Sequence, residues 1–148
     1  MRIAHRLVID TNVVLDFFHF HRPGLARLVD AIASGGALCF ACARTLKELQ
    51  IVLARPHFGL DEAGVQAMFE GYAARVITVA DPPDYAILPR CKDTADQKFI
   101  ELAYSVSADA LLTRDKALLK LAKRVAKVSR MKITTPERFL GDGVFGGV

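Results

Sequence analysis

No run of about eighteen uninterrupted apolar residues, the length a membrane span needs, occurs in this 148-residue chain. A membrane partner is therefore not expected. The opening Met1-Arg2-Ile3-Ala4-His5-Arg6 has no apolar secretory core and leads straight into a strand-like stretch, which predicts a soluble, cytoplasmic protein. Cysteine is scarce and odd in number, with Cys39, Cys42 and Cys91 only, so a disulfide framework is not expected. Cys39-Phe40-Ala41-Cys42 has metal-site spacing, but it sits in an apolar run with no second pair, which favours buried small hydrophobes. Also lacking are a Gly-rich phosphate loop and a Ser-His-Asp spacing. His5, His19, His21 and His57 stand apart from the polar motifs described below, which argues against serine-type or phospholipase-type chemistry.

What remains is ordinary globular composition, 52% apolar and 24% charged, which excludes disorder and fibrous repeats. The length suits one domain spanning residues 1–148. Twenty Lys and Arg against sixteen Asp and Glu leave a net charge of +4, a weak pull toward polyanionic partners.

Leu7-Val8-Ile9 is short, partly β-branched and stopped by Asp10-Thr11-Asn12, the pattern of a buried strand ending in a polar turn. A helix is predicted from Val13 to Phe20, and a second from Pro23, through Leu25, Leu28, Val29 and Ile32, to Gly35-Gly36. Leu38 to Ala41 is the next strand. Thr45-Leu46-Lys47-Glu48 has the form of a capping box, with Leu46, Leu49 and Leu53 as an apolar stripe behind it. Val65, Met68, Phe69 and Tyr72 mark a helix, Arg75 to Val79 a strand, and Asp81-Pro82-Pro83-Asp84 a loop. Phe99, Leu102, Ala103 and Val106 mark a helix opened by Asp96, Ala110 to Thr113 a strand, and Asp115 to Val125 a further helix. A short strand near Lys132-Ile133-Thr134 precedes a helix beginning at Pro136. Short apolar runs alternating with helices predict an α/β fold, a three-layer α/β/α sandwich around a mostly parallel sheet.

In such sheets ligands gather outside the carboxyl ends of the strands. Asp10 and Asp115 follow predicted strands, Asp96 opens a helix, and Glu48 lies in the helix after the second strand. Each alone reads as well as a helix cap or an Asx turn. Together they differ, because four carboxylates at one end of a sheet repel one another unless cations are present. Hard oxygen ligands in a shallow cleft suit Mg2+ or Mn2+, and the waters such ions keep can attack a phosphate.

The chain resembles the PIN-domain family, close to the toxin components of toxin–antitoxin systems related to the VapC ribonucleases. The resemblance runs through Val8-Ile9-Asp10-Thr11-Asn12, Leu46-Lys47-Glu48-Leu49, Cys91-Lys92-Asp93-Thr94-Ala95-Asp96-Gln97-Lys98-Phe99, Leu112-Thr113-Arg114-Asp115-Lys116 and Thr135-Pro136-Glu137-Arg138-Phe139-Leu140. It implies a metal-dependent endoribonuclease in which Asp10, Glu48, Asp96 and Asp115 hold Mg2+ or Mn2+, with Thr11, Asn12 and Thr113 as polar supports. It also implies a homodimer and a cognate antitoxin protein. Relatives often carry an acid where Ala95 stands, so the local acidic cluster is thinner here. Asp93 is the ambiguous carboxylate, read first as a supporting or capping residue and second as a direct metal ligand.

Two further groups carry weaker readings. Lys116, Lys120, Lys123 and Lys127 would form one basic stripe on a continuous helix, either a solvated face or an RNA contact. Leu15, Phe17, Phe18 and Phe20 read first as core, and second as a dimer or antitoxin contact. The rival classes are a receiver domain, which Asp10 on the first strand fits poorly, and a non-catalytic binding module, which the complete set of four acids disfavours. An aspartyl-nucleophile hydrolase would want a second Asp where Asn12 stands.

Overall fold

The computed structural model describes residues 4–18 and 23–142, with the side chains of Phe18 and Pro23 excepted. Its centre is a five-stranded sheet made of β1 (His5–Ile9), β2 (Ala37–Cys42), β3 (Ile77–Val79), β4 (Ala110–Leu112) and β5 (Lys132–Thr134). The order across the sheet is β3-β2-β1-β4-β5, and every pairing is parallel. Such strands need crossovers, and the helices supply them: α1 (Thr11–Phe18), α2 (Ala26–Ser34), α3 (Ala43–Leu53), α4 (Glu62–Ala73), α5 (Gln97–Ser105), α6 (Lys116–Leu119), α7 (Ala122–Ala126) and α8 (Pro136–Gly141).

Both faces of the sheet are buried, so its central strands are almost uniformly apolar and alternate residues feed two cores. Leu7, Ile9, Ala37, Cys39, Ala110 and Leu112 pack with α1 to α4 and α8. Val8, Phe40, Cys42, Leu111 and Ile133 pack with α5, α6 and α7. Cys39 and Cys42 thus face opposite sides of the sheet and share no site. All three thiols are buried, and burial pushes the Cys39 thiol up to about 12. Leu15 and Phe17 are core residues at 3% and 4% exposure, whereas Phe20 lies outside the described residues.

Several boundaries differ from those read in the sequence, each for a local hydrogen-bonding reason. The first helix starts two residues early at Thr11, because the Asp10 carbonyl accepts the N–H groups of both Val13 and Val14. Strand β3 is two residues shorter than its apolar run, since Arg75 N–H bonds the Tyr72 carbonyl and completes the end of α4. The helix expected from Asp115 to Val125 is broken in two. Leu121 N–H bonds the Leu118 carbonyl three residues back, tightening the chain between α6 and α7, so the lysines do not share one continuous helical face. The capping box is also displaced by one turn. Helix α3 begins at Ala43, and the Thr45 hydroxyl accepts from the Cys42 N–H at 3.0 Å, which leaves Glu48 outside the cap.

The two halves of the sheet grow outward from β1, toward β2 on one side and β4 on the other, which opens a crevice at the carboxyl ends of these strands. Asp10 N–H continues the ladder to the Leu112 carbonyl at 2.9 Å, fixing the exit of β1 against the exit of β4. Among the described residues, no helix is long and apolar enough to cross a membrane.

Candidate active site

At that crevice a cleft of about 270 Å3 is lined by Asp10, Thr11, Asn12, Glu48, Val52, Arg55, Asp93, Ala95, Asp96 and Asp115. The four acids singled out in the sequence therefore meet in one place, although 105 residues separate the first from the last. Asp10 is delivered by the end of β1 and is 4% exposed. Its Oδ2 accepts the Thr113 hydroxyl at 2.7 Å, and Thr113, fully buried, also accepts the Asp115 N–H at 3.0 Å. Thr113 thus ties the exits of β1 and β4 together. Asp115 caps the short α6, its Oδ1 accepting the N–H of Ala117 at 2.7 Å and of Leu118 at 3.4 Å.

Asp96 has no comparable support. It ends a single 3-10 turn, Thr94–Asp96, and its Oδ2 is buried without a hydrogen-bond partner among the described residues. Burial raises its pKa to about 7, helped by the nearby charges of Asp115, Asp10 and Asp93. Burial likewise raises Asp10, with Glu48 and Asp115 adding repulsion and the Thr113 hydroxyl pulling the other way. Asp93 caps the 3-10 turn by accepting the Ala95 N–H at 3.0 Å.

Glu48 is reached from two sides. Its Oε2 accepts the Thr11 hydroxyl at 2.5 Å and its Oε1 accepts Lys98 Nζ at 2.7 Å. Lys98 also donates to the Ala95 carbonyl. A cation is thus built into the acidic cluster. The sequence reading quoted Lys98 only as part of a motif, because nothing local links it to a residue fifty positions earlier. Arg55, on the cleft wall just past α3, was missed for the same reason. Behind the site, Arg114 bonds Asp16 at 2.6 Å and both oxygens of Glu137 at 2.6 Å, clamping the loop that carries Asp115 to α1 and α8.

Three of the basic residues suggested for substrate contact, Lys116, Lys120 and Lys123, are exposed, with Lys116 directly beside Asp115. Asn12 is exposed at the rim, and Thr11 is buried beneath it.

The donor set suits a small hard cation. Asp96 offers a buried oxygen with no hydrogen-bond partner among the described residues, and burial, with like charges added, raises the pKa values of Asp10 and Asp96. Among the described residues, however, no three His, Cys, Asp or Glu side chains already form a ligand set around one point. Glu48 is turned to Thr11 and Lys98, and Asp115 is turned to its cap. The fit is accordingly to an ion that takes one or two carboxylates and keeps several waters, as Mg2+ does, rather than to an all-protein cage.

The sequence model for the PIN domain matches residues 6–117, so the chain belongs to the PIN-domain family, whose members are generally nucleases that use divalent metals. All four acids and Asp93 lie in the matched span, whereas α7, β5 and α8 lie beyond it. No curated protein matches the chain.

Proposed function

We propose that this protein is a Mg2+- or Mn2+-dependent endoribonuclease. The single observation that carries the reading is the convergence of Asp10, Glu48, Asp96 and Asp115 on one cleft, with a buried and unpartnered oxygen on Asp96. A divalent ion held there would supply an activated water and offset the charge that develops on the phosphate oxygens. Asp10 and Asp96 are the acids best placed to hold it, with Glu48 and Asp115 completing the negative field. Thr113 and Thr11 orient Asp10 and Glu48 through the hydrogen bonds described. Asp93 shapes the turn that presents Asp96, and Asn12 lies at the rim where a substrate enters. Lys116, Lys120 and Lys123 supply positive charge for the RNA chain, and Arg55 supplies it inside the cleft.

The family resemblance extends the proposal to a toxin that acts as a homodimer, sits in the cytoplasm and is restrained by a cognate antitoxin. A neighbouring gene for a small DNA-binding protein would support that part of it. The nuclease part is tested directly: purified protein is expected to cut RNA with Mg2+ or Mn2+ and to stop when EDTA is added. Cleavage that survives chelation would contradict it, because the attacking water is proposed to be activated by the metal ion.

A further inference from the structure

Residues 116–132 contain seven basic side chains and no acid, while the other 131 residues carry 13 basic and 16 acidic ones. The chain's positive excess is thus concentrated in one segment. Lys116, Lys120, Lys123, Arg124, Lys127, Arg130 and Lys132 are all exposed. Among the described residues only Lys132 has an ion partner, Asp142 at 4.0 Å, and both side chains of that pair are exposed. Seven like charges with a single exposed counter-ion among the described residues repel one another, and an external polyanion relieves that repulsion.

Their placement follows the sheet. Lys116 adjoins Asp115 at the cleft, α6 and α7 then run along β4 and β5, and Lys132 opens β5 at the opposite end of the sheet. Between α7 and β5 lies a groove of about 600 Å3, walled by Lys123, Arg130 and Lys132, with Ala126, Met131 and Ile133 on its apolar side. Among the described residues no aromatic side chain lines it, which favours phosphate contact by the charged rim over base stacking.

We infer that the α7–β5 groove holds the sugar-phosphate backbone of RNA at a distance from the cleft, anchoring the chain whose scissile bond lies among the carboxylates and doing so without reading its bases. The choice of RNA over an acidic protein rests on the nuclease reading above and on the continuity of charge from Lys116 to Lys132. The groove's lining residues all lie beyond the span that the family model matches.

The test is fluorescence anisotropy with labelled oligouridylate and oligoadenylate in EDTA, over a series of salt concentrations, so that neither metal nor cleavage enters. The triple substitution Lys123→Ala, Arg130→Ala and Lys132→Ala alters only exposed positions, and Arg27→Ala with Lys47→Ala, also exposed, serves as the control. The triple variant is expected to bind both oligonucleotides at least about tenfold more weakly and to lower the slope of log affinity against log salt by about two, as three lost phosphate contacts require. The control should match the parent. An unchanged salt slope in the triple variant would overturn the inference, as would tighter binding of polyglutamate than of RNA, which would mark the groove as a protein site. A parent that binds RNA through this groove but never cuts it would sink the nuclease reading and leave the groove standing.

Discussion

Replacing Asp96 by Asn removes the charge that the cleft accommodates worst, and the size of the effect follows from its surroundings. The carboxyl of Asp96 is raised from 3.8 to about 7 by burial and by Asp115, Asp10 and Asp93. A shift of that size has a ceiling of about 4 kcal/mol, and discounting for the part of the group that water screens leaves about 1–2 kcal/mol. The sign is set by proton uptake. Between the unfolded value and the folded one the native protein holds a proton that the unfolded chain has lost, so metal-free stability falls as pH rises from about 4 toward 7. Above that range the native carboxylate is ionised and the full repulsion is present. Asp96→Asn is therefore expected to raise Tm in EDTA by roughly 3–6 °C at pH 8, and to gain no more than about 0.5 kcal/mol at pH 4. With Mn2+ at a hundredfold excess over the parent's Kd that advantage should shrink by about 1.3 kcal/mol or more, because the parent gains about 2.7 kcal/mol and a variant that binds tenfold more weakly gains about 1.4. Thermal melts at the two pH values, with and without metal, decide the matter. A Tm loss for Asp96→Asn in EDTA at pH 8 would refute the reasoning and make Asp96 a structural residue.

Further outcomes follow from neighbouring contacts. Lys98→Met is expected to destabilise the metal-free protein and to tighten Mn2+ binding severalfold, since Glu48 loses its internal cation; calorimetry should show both, and Lys98→Arg should restore the parent's behaviour. Thr45→Ala should cost about 0.5–2 kcal/mol in denaturant unfolding by exposing the Cys42 N–H to loss of its partner, with Mn2+ affinity unchanged. Glu48→Gln should do the reverse, keeping stability and slowing RNA cleavage at limiting Mg2+; an unimpaired rate would remove Glu48 from the site. Glu137→Gln weakens the clamp on Arg114 and is expected to slow cleavage less than any carboxylate of the cleft, measured as kcat at saturating metal.

The elements were readable where burial imposes a period. Leu7-Val8-Ile9 and Ala110-Leu111-Leu112 are apolar at every position because both faces of the sheet are covered, and that continuity marks a parallel strand. Helix stripes such as Val65, Met68, Phe69 and Tyr72 were equally plain. The gathering of Asp10 and Asp115 was legible from strand ends, and that of Asp96 from the start of the late helix. What escaped depends on partners distant in the chain or on competition between caps. Thr45-Leu46-Lys47-Glu48 has the letters of a capping box, yet Cys42 takes the cap position and turns Thr45 back to the start of the helix, which releases Glu48 toward Thr11 and Lys98. The break between α6 and α7 has no Gly or Pro to announce it. Arg114 finds Asp16 across 98 positions and Glu137 across 23, which no local pattern encodes.

The central claim is that these carboxylates collect a divalent ion, and a Mn2+ binding isotherm on the purified protein tests it most directly. The parent is expected to bind Mn2+ saturably, and Asp10→Asn and Asp96→Asn, with their folds intact by circular dichroism, to bind at least about tenfold more weakly. A parent that binds no Mn2+, or variants that bind it as tightly as the parent, would contradict the account.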